Sequence, residues 1–124
     1  MMNELTYSQK KYLFAIYKLG QNGNVIKSSD VAALVGVSKA STAAMTERLA
    51  EGGYIEKEYY GRIVLTESGI KAANSIYTNC VIIQDYLENT IGLDGETADF
   101  DAAQIVIHVS EKTSERLADY LLKR

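Results

Sequence analysis

The chain has 124 residues, 47% hydrophobic and 23% charged, a balance that supports a packed core and excludes a disordered chain. A lone cysteine, Cys80, excludes an internal disulfide framework and fits a reducing, cytoplasmic setting. The net charge is −3, but residues 1–65 hold eight Lys or Arg against six acids (+2) and residues 66–124 hold five against ten (−5), which suggests two jobs on one chain.

Proline is absent, so helices must end on glycines and polar caps. Residues 6–19 read as a first helix, with Leu13, Ile16, Tyr17 and Leu19 on one face and Gly20 closing it. Gln21 to Lys27 reads as a loop. Ser28 or Ser29 is expected to cap a short helix over 30–35, which ends at Gly36. Ser38 caps a third helix that runs to about Glu51 and stops at Gly52-Gly53. The period then becomes extended, and Tyr54–Tyr59 with Arg62–Leu65 reads as a hairpin around Tyr60-Gly61. Thr66 caps a long helix to about Asn89, Ile91–Thr97 reads as a loop, and helices over 98–109 and 111–123 follow, the last capped by Ser110. No apolar run reaches the length of a membrane span, and lysines at 10, 11 and 18 break up the N-terminus, so neither a membrane segment nor a signal peptide is expected.

The turn around Gly36 is short enough to force the second and third helices to cross steeply. The expected fold is mostly α: a winged helix-turn-helix with a two-stranded β wing over 1–66, then an all-helical dimerisation domain over 67–124. A helix that enters a DNA major groove is buried on one side and small or polar on the other. In the third helix Thr42, Met45, Thr46 and Leu49 cluster on the core side, while Ala40, Ala44, Glu47 and Glu51 lie opposite. Lys39, Ala40, Ser41 and Ala44 are the candidates for the groove, with Ser38 and Arg48 beside them. Alanine can meet only a thymine methyl, so direct base readout is expected to be modest and affinity to come from phosphates and DNA shape. The wing offers Lys57, Tyr59, Tyr60 and Arg62; Arg62 is expected at a minor groove or a phosphate and the tyrosine hydroxyls at phosphates. A winged helix that binds protein instead of DNA is the alternative. No enzyme is expected, because one His, one Cys, no phosphate loop and no acid pair at useful spacing leave no reaction centre.

The long helix is apolar on several faces: Ile70, Ala73, Tyr77, Cys80, Gln84 and Leu87 follow one line, and Ile76, Val81, Ile82, Ile83 and Tyr86 fill others. Leu117, Tyr120, Leu121 and Leu122 add more on the last helix. A homodimer through this half accounts for the surplus and places two winged helices on two half-sites of double-stranded DNA.

Gly53-Tyr54-Ile55 and Leu65-Thr66-Glu67-Ser68-Gly69 are shared by many winged helices. The short wing Tyr59-Tyr60-Gly61-Arg62-Ile63-Val64, the long helix ending in Ile91-Gly92-Leu93-Asp94 and the helix ending in His108-Val109-Ser110 are more specific. The chain resembles the iron- and manganese-dependent repressors of the diphtheria toxin repressor family, from about Tyr7 to Tyr120. The resemblance implies a metal-controlled dimer on palindromic operators, with carboxylate, Met, His and Cys ligands on the first, long and next helices. Ungapped alignment puts Lys11 and Phe14, Cys80, and Ala103, Val106 and Ile107 at those positions. Only Cys80 among them can ligate a divalent ion, and His108 lies one residue beyond a ligand position. The expectation is therefore a repressor-like fold whose metal switch is lost, with no metal ligand and no cofactor. The alternatives are a relocated Mn or Fe site, or an organic effector lined by Tyr12, Phe14 and Cys80.

Overall fold

The computed structural model describes residues 5–123; Met1–Glu4 and Arg124, the outer ends of the two expected domains, lie outside the described residues. The chain divides into two compact units, one over Leu5–Asn74 and one beginning at Ser75.

The first unit contains α1 (Tyr7–Leu19), β1 (Ile26–Lys27), α2 (Ser28–Val35), α3 (Lys39–Glu51), β2 (Ile55–Lys57), β3 (Arg62–Leu65) and the start of α4 (Glu67–Asn89). A capping box starts α1: the Thr6 hydroxyl oxygen accepts from the Gln9 amide at 3.1 Å, and the Gln9 side chain accepts from the Thr6 amide at 2.9 Å. Left-handed Gly36 (φ 80°) ends α2, and Ser38 caps α3 by accepting from the Ser41 amide at 3.1 Å. Tyr12 and Ile16 of α1, Val31 of α2, Leu49 of α3 and Ile26, Ile55 and Ile63 of the three strands form one buried cluster. Each such aliphatic contributes about 2 kcal/mol on leaving water.

The two expected wing strands are β2 and β3, and a third strand, β1, joins them in an antiparallel sheet of order β1-β3-β2. The added strand lies in the segment read as a loop, where Ile26 pairs with Ile63 and Lys27 with Arg62. Two residues are too few to show a period of two, so only the tertiary pairing reveals them. Neither Ser28 nor Ser29 caps α2: the helix begins at Ser28, Lys27 stands at the cap position without a side-chain bond, and the Ser28 hydroxyl donates to the Gly61 carbonyl at 3.3 Å.

The second unit comprises α4 from Ser75 onward, α5 (Gly95–His108) and α6 (Glu111–Leu122). The α5 helix begins three residues before the expected position, because the Asp94 carboxylate accepts from the Thr97 amide (3.0 Å) and hydroxyl (2.7 Å). Those bonds from Thr97 hold the Asp94 carboxyl below its usual range, so the cap is intact wherever the group is ionised. Ser110 caps α6 as expected, by accepting from the Thr113 amide at 3.2 Å. Ile76, Cys80 and Ile83 of α4, Ala98, Ala102, Val106 and Ile107 of α5, and Ala118 of α6 are buried. Val81, Phe100, Tyr120 and Leu122 are exposed, and Val81, Ile82, Tyr86, Leu121 and Leu122 line a surface groove within this unit. No described helix is long and apolar enough to cross a membrane.

Candidate nucleic-acid interface

The α3 helix has the two-sided character that groove entry requires. Thr42, Thr46 and Leu49 are buried and Met45 half-buried, while Lys39, Ala40, Ser41, Ala43, Ala44, Glu47, Arg48 and Glu51 are exposed. The two buried threonines bond back into the helix, Thr42 to the Ser38 carbonyl (3.0 Å) and Thr46 to the Thr42 carbonyl (2.9 Å), so α3 packs polar residues inward without leaving them unsatisfied. The exposed face then carries no side chain larger than serine over its first two turns, apart from Lys39. Ser38 spends its oxygen lone pairs on the cap, and its hydroxyl donates to the Ser41 hydroxyl oxygen at 3.0 Å.

Glu47 is one of two exposed acids on α3. It faces β2, where its carboxylate lies 3.5 Å from the Lys57 ammonium. Both groups are solvent-exposed, so the pair contributes under about 1 kcal/mol and Lys57 can exchange it for another anion. At the wing, Tyr60 adopts φ 61° and Gly61 φ 74°, the mirror-image turn that suits a two-residue hairpin loop. A tyrosine held there against its backbone preference is 96% exposed, and Tyr59 is 86% exposed. These rings cover no hairpin surface, which removes the purely structural account of them. Arg62 is exposed, with its Nε 3.9 Å from the Glu58 carboxylate. The fold therefore places all eight sequence candidates, Ser38, Lys39, Ala40, Ser41, Ala44, Arg48, Tyr60 and Arg62, on exposed positions of α3, its cap and the wing in one unit. The sequence reading missed Lys27, which no local pattern distinguishes until β1 pairs with β3.

The positions aligned with the family's metal ligands do not fit a divalent ion. Lys11 is half-buried and Phe14 buried on α1. Cys80 is buried on α4, and Val106 and Ile107 are buried on α5. His108 is exposed at the end of α5, its Nε2 3.0 Å from the Gln104 side-chain oxygen. Among the described residues, no group of three or more His, Cys, Asp and Glu side chains is placed to hold a metal.

Comparison with known proteins supplies what these side chains do not. Residues 4–63 match the model of the iron dependent repressor, N-terminal DNA binding domain, and residues 66–123 match the iron dependent repressor, metal binding and dimerisation domain. The chain is 31% identical over 117 residues to the HTH-type transcriptional regulator MJ0568 of Methanocaldococcus jannaschii, covering 94% of this chain and 90% of that protein. It is 29% identical to the HTH-type transcriptional regulator MntR of Lysinibacillus sphaericus, over 92% of this chain and 81% of that one. Among solved structures it resembles ScaR with bound Zn²⁺ (TM-score 0.71, 27% identity, 93% of this chain), but spans only 53% of that chain, about half its length. These matches overturn the expectation of no cofactor: the second domain is of a metal-binding type, so a metal cofactor is expected despite the poor donors at the aligned positions. Six aligned positions with poor donors do not change the type of the domain, which matches the metal-binding one over residues 66–123. The chain belongs to the iron-dependent repressor family, with the family's DNA-binding domain in its front half and its metal-binding and dimerisation domain in its back half.

Proposed function

We propose that this chain represses transcription by binding double-stranded DNA as a homodimer, with a metal setting its affinity for the operator. The DNA-binding domain is taken as residues 1–66 and the dimerisation domain as 67–124. The observation that carries the reading is the exposed, small-residue start of α3 beside an exposed wing. Ala40, Ser41 and Ala44 enter the major groove, Lys39 stands at its edge within reach of a base or a phosphate, and Ser38, Arg48, Tyr60 and Arg62 meet the backbone on either side. Readout by this face rests on thymine methyls, one lysine and one hydroxyl, so shape and phosphate contacts supply most of the affinity. The exposed Val81, Phe100, Tyr120 and Leu122 supply apolar surface for a second copy.

Fluorescence anisotropy on DNA from upstream of the chain's own gene tests this. Chelated protein is expected to bind weakly and protein with excess Mn²⁺ at least tenfold more tightly. Identical isotherms would remove the metal from the reading and leave the DNA binding. Absence of binding in both conditions would favour a protein-interaction module and overturn it. Arg62→Ala is expected to weaken binding alike on operator and unrelated DNA and to lower the salt slope by about one unit per protomer. An unchanged slope would remove Arg62 from the phosphate contacts.

A further inference from the structure

We propose that a notch between the start of α3 and the wing is a phosphate seat, built by Lys27, Lys39 and Lys57, that holds one backbone phosphate of the bound duplex. The proposal rests on the DNA-binding reading above and adds a contact point to it.

Three elements converge there. Lys27 ends β1, Lys39 begins α3 and Lys57 ends β2, and together they line a notch of about 260 Å³ with Ser28, Ser29 and Ala43. Across β3, Lys27 pairs with Arg62 and Lys57 with Ile63, adjacent register positions whose side chains leave opposite faces of the sheet, so the two lysines border the notch from either side of β3. Ala43 stands one turn after Lys39 on the same face of α3 and leaves the space open. The Ser28 hydroxyl, bonded to the Gly61 carbonyl at 3.3 Å, ties the start of α2 to the wing tip and fixes that edge.

Charge is concentrated here and almost nowhere else on the DNA-facing surface. From 39 to 51, α3 carries Lys39 and Arg48 against Glu47 and Glu51, a sum of zero. Residues 54–65 carry Lys57 and Arg62 against Glu56 and Glu58, again zero. None of the described residues that line the notch is acidic. Three lysines border this one small space, Lys57 with the exposed Glu47 carboxylate as an exchangeable partner at 3.5 Å, and compact, strongly hydrated ammoniums suit a phosphate as point charges. The Ser29 side chain and the uncapped first turn of α2 add donors at the rim. The notch adjoins the face of α3 that enters the groove, where a strand's backbone runs.

The test is anisotropy of the full chain on operator and unrelated duplexes between about 50 and 200 mM salt. For Lys27→Ala/Lys57→Ala the slope of log affinity against log salt is expected to fall by about one unit per protomer, on both duplexes alike. The loss of affinity across that range should shrink about fourfold per protomer relative to the parent chain. Lys27→Arg/Lys57→Arg should restore the slope, and Lys71→Ala, an exposed lysine on α4, should leave it unchanged. If the parent chain shows no salt-dependent DNA binding, the reading of the whole interface fails. If the parent binds but the double alanine variant keeps its full slope, the phosphate seat alone fails. Inorganic phosphate, added at matched ionic strength, separates the two sources of this chemistry. Competition no greater than that of chloride is the expected result. Stronger competition that disappears in the double variant would reassign the notch to a free anion and overturn the duplex as its ligand.

Discussion

Gly69→Ala is expected to destabilise the winged unit by about 3 kcal/mol, the upper end of what forced overpacking costs. Gly69 lies in the first turn of α4, and a Cβ on it would overlap the backbone carbonyl oxygen of Tyr54. That oxygen already accepts from the Thr66 amide at 3.1 Å. The Thr66 hydroxyl donates to the Gly53 carbonyl at 2.6 Å and its oxygen accepts from the Gly69 amide at 3.0 Å. Four residues therefore cross-tie the base of the wing to the start of α4, and neither backbone can move aside without breaking a bond. This explains physically why Gly53-Tyr54-Ile55 and Leu65-Thr66-Glu67-Ser68-Gly69 occur together as one signature. Urea unfolding followed by circular dichroism should show a lower midpoint at an unchanged m-value. Ser68→Ala, at the exposed neighbour, should leave the midpoint in place. A Gly69→Ala midpoint equal to that of the parent would show that the contact relaxes freely.

Ala44→Glu is expected to lower DNA affinity about 100-fold, or about 2.7 kcal/mol, with no loss of thermal stability. Ala44 is exposed in the middle of α3, and glutamate is nearly as good a helix former as most residues, so the fold has no reason to respond. In the complex the new carboxylate would be desolvated among phosphates and base edges with no cation to meet it. Thr78→Glu, an equally exposed change on α4, should alter affinity little. An Ala44→Glu variant that binds as the parent does would take the α3 face out of the groove, and the DNA-binding assignment of Ala40 and Ser41 with it.

The local signals were legible because they are local. A serine or threonine before a periodic apolar run marked the starts of α3, α4 and α6, and the 3.6-residue period of α3 already separated Thr42, Thr46 and Leu49 from the exposed face. The start of α5 escaped because Asp94 and Thr97 flank a glycine, a composition that reads equally as a loop. The role of Glu47 escaped because its partner Lys57 lies ten residues away on another element.

By itself, then, the chain determined its helix caps, its turn glycines, the two faces of α3 and the charge contrast between its halves, since each depends on residues within a turn or two of one another. Tertiary structure alone decided that two residues of an apparent loop form a third strand, that Ser28 bonds to the wing and not to its own helix, and that Lys27, Lys39 and Lys57 share one notch. Those outcomes rest on backbone pairing and side-chain convergence across 12 to 37 residues of sequence, a separation over which no periodicity carries information.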